Sequence, residues 1–350
     1  MNRRRFLQMA GSTSLLGVAR FGWAAPRSRF VYIGAPDGIH VYSITADGRF
    51  IHEHTMASAH PVAIAISGGH LYVANGISEY GNLPRGSVEA FAMNAATGRL
   101  EFKNRVPLSL SGILPRDLAA APDGRSVVVA VHGGGAYNIL SIHEDGRLAR
   151  VSGILKETGS GPHVAQSAAH PSAVMFDPAG LVLTADEGSD KLSVFSLSHG
   201  QLTAAARREV PAGSGPNSLV LDRDRLYVAN ALNGTVSIFA YDQGTLDHRQ
   251  TVSIGSEVAA LAMHPSGDIL YSAHGDGMRV WKIAADGGME ALPGVEGIQA
   301  SRLHVMPDGR SLLALSRDAV LGMKLDESGR VLAGPVKRAS VSKPVSIAVI

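Results

Sequence analysis

Residues 215–246, GPNSLVLDRDRLYVANALNGTVSIFAYDQGTL, hold three short runs of alternating or β-branched residues: SLVLD, RLYVAN and GTVSIFAYD. Asp/Arg and Asn/Gly pairs punctuate them, so the stretch predicts consecutive antiparallel strands joined by tight turns, with a fourth strand after Gly244-Thr245-Leu246. The same pattern recurs along the chain.

The LYVAN-like strand occurs seven times: VYIGA (31–35), LYVAN (71–75), VVVAV (127–131), VLTAD (182–186), LYVAN (226–230), LYSAH (270–274) and LLALS (312–316). A turn keeps step with it, as ADGRF, ATGRL, EDGRL, SHGQL, DQGTL, ADGGM and ESGRV, with glycine at 48, 98, 146, 200, 244, 287 and 329. Those glycines lie 50, 48, 54, 44, 43 and 42 residues apart, the period of a four-stranded propeller blade. The expected fold is therefore all-β: a seven-bladed β-propeller of four-stranded antiparallel blades. The last residues, KPVSIAVI (343–350), copy a first strand such as HPVAIAIS (60–67), whereas residues 30–35 copy a second strand. Pairing of the N- and C-terminal strands should thus close the ring, leaving no free edge.

Residues 1–24 fall outside this pattern. They combine Arg3-Arg4-Arg5-Phe6-Leu7 with a modest apolar stretch and small residues at Gly22 and Ala24, which reads as a twin-arginine-type signal peptide cleaved after Ala24. The expectation is a periplasmic or secreted protein whose residues 25–350 form one propeller domain. The apolar stretch is too short to span a membrane, and no span is expected in the mature chain. The chain has 32 Lys+Arg against 30 Asp+Glu, and removing the four arginines of the leader leaves 28 against 30. A slight negative balance gives no footprint for nucleic acid. Zero cysteines exclude disulfides, a thiol nucleophile and thiolate metal sites. A monomer is expected, with no cofactor.

Each blade reads as strands A to D from the channel outward. Two stretches exceed the repeat, 76–86 (GISEYGNLPRG) and 152–169 (SGILKETGSGPHVAQSAA). Because A and B are antiparallel, the start of A and the end of B share a face, and both insertions belong to it; long loops there commonly serve binding. The residues predicted to open strand A at this channel mouth are Val62, Arg116, Ser172, Asn217, Ala259, Arg302 and Val345. Those just past strand B are Gly76, His132, Glu187, Ala231, His274 and Arg317, and His170 joins them. This is a patch rich in Arg and His, suited to an anionic or carbonyl ligand.

The segment HPSAVMFDPAGLVLTADEGSD (170–190) resembles the seven-bladed propeller lactonases, the family of 6-phosphogluconolactonase and carboxymuconate cyclase. VAVHGGG (129–135) is similar to the family's A-N-Y-G-G-G, GSGPNS (213–218) to its G-x-G-P-R-H, and LYSAHG (270–275) to its L-Y-S-N-R-G. The likeness covers the whole mature chain; the strands also resemble Y-V-T-N repeats, and no Trp-Asp dipeptide marks a WD40 propeller. It implies hydrolysis of a sugar or carboxylated lactone, with the family's His at His170. The family's Arg of G-P-R-H becomes Asn217, its Glu of N-E-L becomes Ala231 and its Arg of S-N-R-G becomes His274, while Arg302 still matches an arginine of the last blades.

Lactone hydrolysis needs a base to activate water and a donor to hold the developing oxyanion. His170, His132 and His274 are the catalytic candidates; Arg116, Arg302, Glu187 and Asn217 are the substrate-binding ones. No metal is expected, although His132, Glu187 and His274 would make a mixed nitrogen and oxygen ligand set if the fold brought them together. Asp186 and Asp190, flanking Gly188, read as turn caps. No serine elbow or P-loop is present. The alternative is a non-catalytic periplasmic propeller that binds a ligand or a protein partner.

Overall fold

The computed structural model describes residues 30–350 apart from Ser256, so the leader expected at residues 1–24 lies outside the described residues. Seven four-stranded antiparallel sheets follow one another around a ring, with no helix among the described residues. Blade 2 shows the unit: strand A is Pro61–Ser67, B is His70–Asn75, C is Ser87–Met93 and D is Leu100–Pro107. Blade 1 takes its inner strand, Ser346–Val349, from the C-terminus and the next, Phe30–Ala35, from the start of the described chain. Val31 pairs with Val349 and Gly34 with Ser346, which is the closure the repeats predict.

The core lies between blades. Seven hydrophobic clusters fill the seven blade interfaces, such as Val31, Ile33, Leu313 and Val320 between blades 1 and 7, or Tyr227, Ile238, Leu261 and Leu270 between blades 5 and 6. The two repeat signatures meet at three of these interfaces. Tyr32 and Tyr72, on strand B, donate their hydroxyls to the carbonyls of Gly98 and Gly146 in the marker turn of the next blade, each at 3.1 Å. Tyr271 does the same to Gly329. Burial pushes the Tyr32 and Tyr72 phenols up to about 12, so both remain donors at neutral pH. The marker glycines are glycines because the turn requires φ > 0, for example 66° at Gly98 and 81° at Gly146.

A bulge opens strand A in blades 2 to 7. Two residues there oppose one on strand B, with Val62, Arg116, Ser172, Asn217, Ala259 and Ser301 as the extra residues. Bulges re-aim side chains. They account for the mouth positions in blades 2 to 6, but in blade 7 the bulged residue is Ser301. Arg302 instead pairs with Leu315, one step further inside, which corrects its expected place at the rim.

The second insertion also starts later than expected. Strand D of blade 3 runs Leu148–Lys156, so the loop proper begins at Glu157. Ser152-Gly153 looks like a turn, but Gly153 is there because a Cβ would collide with the carbonyl oxygen of Gly200 in blade 4. The first insertion is docked by backbone bonds from Ser111 to Pro84 and from Leu114 to Ile77.

Candidate functional site

Strand A of blade 3 starts at Pro115–Ala120 and strand B ends at Val131, placing Arg116 and His132 side by side at the mouth. Blade 4 supplies His170, just before Pro171–Phe176, and Glu187, just after Val182–Asp186. Here four candidate residues converge. The Arg116 guanidinium donates to Glu187 Oε2, and His132 Nε2 lies 3.8 Å from the same oxygen, an ion-pair rather than a hydrogen-bonding distance. The rings of His132 and His170 stack with centroids 4.5 Å apart and planes 13° from parallel.

His170 is held at several points. Its Nδ1 is 3.1 Å from the His132 carbonyl oxygen; a carbonyl only accepts, so Nδ1 carries a proton, and in the neutral ring the lone pair is on Nε2. Its backbone N–H donates to Asp186 Oδ1 (2.8 Å), and its carbonyl accepts from the Glu187 N–H (3.0 Å). Asp186 Oδ1 also takes the N–H groups of Gly188 and Ser189, the capping role read from the sequence. Burial pushes the Asp186 carboxyl up, against those bonds. Burial would also raise Glu187, but His132 and the Arg116 charge outweigh it and hold this carboxyl below its usual range. Glu187 is therefore an anion at neutral pH.

The remaining candidates lie elsewhere. His274 is fully buried at the end of strand B of blade 6, within 2.8 Å of Ser272 Oγ, which also accepts the Trp281 indole N–H. Asn217 donates to the carbonyls of Val258 (3.2 Å) and Ala259 (3.4 Å), bridging blades 5 and 6. The metal set of His132, Glu187 and His274 does not assemble: among the described residues no three His, Asp or Glu side chains are arranged to hold an ion.

Three relevant residues escape a sequence reading. Asp117, beside Arg116, accepts the Val174 N–H at 3.0 Å; desolvation raises its pKa against the charges of Arg302 and Arg116. Its signal was a lone acid in an inner strand, PRDLAA. Gln166, in the second insertion, is fully buried and donates to the Glu187 carbonyl and to Asp190 Oδ1, both at 2.8 Å. Lys343 lies next to Arg317 across the ring closure.

The family profile described as lactonase, 7-bladed beta-propeller, matches residues 30–347. A Bacillus subtilis protein named 6-phosphogluconolactonase is 23% identical over 222 residues, 62% of either chain, so the alignment spans under two thirds of that relative. A solved structure from Bacteroides fragilis superposes with a TM-score of 0.85 at 24% identity, covering 93% of this chain and 98% of the other. The Pseudomonas aeruginosa periplasmic gluconolactonase, PpgL, superposes with a TM-score of 0.84 at 23% identity, covering 92% and 98%. No helix among the described residues is long and apolar enough to cross a membrane.

Proposed function

The chain belongs to the lactonase family of seven-bladed β-propellers, and from that premise we propose that it opens a sugar or carboxylated lactone at the mouth of its channel. The observation that carries this reading is the His170 ring, fixed through Nδ1 with Nε2 left as a base. In the proposed reaction His170 Nε2 takes a proton from water as the hydroxide oxygen bonds to the lactone carbonyl carbon. Arg116 and His132 offer N–H donors to the oxyanion, and the ionised Glu187 carboxylate, which accepts from the Arg116 guanidinium and lies 3.8 Å from His132 Nε2, holds both in place. The ring C–O bond then breaks, and the proton on His170 passes to the leaving alkoxide, giving a hydroxy acid.

The expected substrate is unphosphorylated. The resemblance implies arginines at two positions where this chain has Asn217 and His274; Arg116 is already paired with Glu187, and Arg302 lies one step inside the mouth, near Asp117. Phosphate dianions are best held by free, bidentate arginines. A panel of lactones with the purified mature protein tests the reading: kcat/KM should be higher for gluconolactone than for 6-phosphogluconolactone, and His170→Ala should lower it at least about 100-fold. The engagement of Asn217 and His274 with neighbouring protein groups favours the alternative of a binding propeller. Binding without ring opening of any lactone would establish that alternative instead.

We also propose export through the twin-arginine leader, a reading supported by Arg3-Arg4-Arg5 and by the periplasmic relative. Replacing the three arginines by lysine should hold the precursor in the cytoplasm. Undiminished periplasmic protein, measured by fractionation, would refute that route.

A further inference from the structure

On the other arc of the same mouth, in blades 6, 7 and 1, the starts of strand A and ends of strand B line an open cavity of about 580 Å³. Ala259, His274, Gly275, Ser301, Arg317 and Lys343 form much of its wall. We propose that it is a subsite for a carboxylate borne by the ligand, held by Arg317 and Lys343. This rests on the lactonase reading for the identity of the ligand, but not for its binding.

The charges point there. The Lys343 N–H donates to the Arg317 carbonyl at 2.7 Å, which fixes the two cationic residues side by side. Both are exposed, and among the described residues neither joins an ion pair. Across the mouth, the Arg116 charge is offset by the Glu187 carboxylate, whereas Arg317 and Lys343 form no ion pair among the described residues, so the uncompensated positive charge for a ligand anion lies on this arc. Cavities of this size suit small ligands. The wall also includes one carboxylate, Glu257, leaving a single net positive charge that matches a monoanion better than a phosphate dianion. A guanidinium and an ammonium together supply enough donors for both carboxylate oxygens.

The test is equilibrium binding, which needs no turnover. D-glucarate differs from D-gluconate by a second carboxylate, and the wild-type protein should bind glucarate about tenfold tighter, a gap of roughly 1.4 kcal/mol. The Arg317→Gln/Lys343→Gln double variant should lose that preference. So should Gly275→Leu, which fills the cavity from a site where a Cβ meets no atom within 4 Å and φ is ordinary. Equal affinities in the wild type, or a preference surviving both variants, overturns the proposal. Tighter binding of 6-phosphogluconate than of glucarate, lost in the same variants, overturns the carboxylate assignment in favour of phosphate. If the lactonase reading alone is wrong, no lactone is opened yet the glucarate preference persists. If the subsite alone is wrong, neutral lactones are opened and the preference is absent.

Discussion

His304 illustrates how one residue couples the channel wall to pH. It lies in strand A of blade 7, its Nε2 is buried with no hydrogen-bond partner among the described residues, and burial lowers its pKa to about 4 from an ordinary 6.5. The unfolded chain therefore takes up a proton as pH falls through 6.5, whereas the native protein refuses it until about 4. Stability from this residue is complete above 6.5 and drains away below it, by about 2 kcal/mol at pH 4.5. His304→Leu removes the titration, so its urea-unfolding free energy should fall less between pH 7 and 4.5 than that of the wild type. Equal falls would show that His304 carries no such linkage. Nothing in the string SRLHV announces this, because the sequence names the residue but not the dielectric around it. The catalytic candidates divide the same way: His170, His132, Glu187 and Arg116 were identifiable as mouth residues, but the Arg116–Glu187 contact joins residues 71 apart through two blades.

At the scale of elements, the second insertion depends on one side chain. Gln166 ties the loop to the Glu187 carbonyl and to Asp190, whose carboxylate also takes the N–H groups of Gly213 (2.7 Å) and Gly215 (2.8 Å). Gln166→Ala leaves a buried carbonyl and part of a buried carboxylate without their donor, a cost of about 1–3 kcal/mol confined to the loop. Limited trypsinolysis should then cut after Lys156 at least several-fold faster, and an unchanged cleavage rate would show that the loop is held by other contacts. Strands were the most legible elements, since their alternation and their marker glycines are local properties. Local signals mislead where their cause is non-local. Ser152-Gly153 imitates a turn although the glycine accommodates the neighbouring blade. Arg302 lies one position beyond the bulge: proline marks the first strand residue in blades 2 to 5, whereas blade 7 begins at Ala300. Blade 6 also lacks the proline, beginning at Val258, but there the expected position, Ala259, is the bulged one, so without the marker the spacing alone decides and can slip by a residue.

For the whole molecule, stability is distributed around a ring of seven similar interfaces, and the ring exists only if its ends meet. The inner strand of blade 1, Ser346–Val349, pairs with Phe30–Ala35, and Ile347, Val349 and Ile350 pack onto the cores on either side of that blade. Arg338 of blade 7 adds a bond to the Gly48 carbonyl of blade 1 at 3.2 Å. Ending the chain after Val341 keeps that bond but removes the ladder and those side chains, on the order of 5 kcal/mol of apolar burial and pairing. The melting temperature should fall by about 10 °C. It would also bare the edge of Phe30–Ala35, a buried apolar strand, so the shortened protein should self-associate. A synthetic peptide of residues 342–350 added in trans should raise the melting temperature again and suppress association, because it restores the same register without the covalent link. If the shortened protein melts where the full chain does, the terminal strand is not what closes the ring, and the six remaining inner strands suffice to hold it.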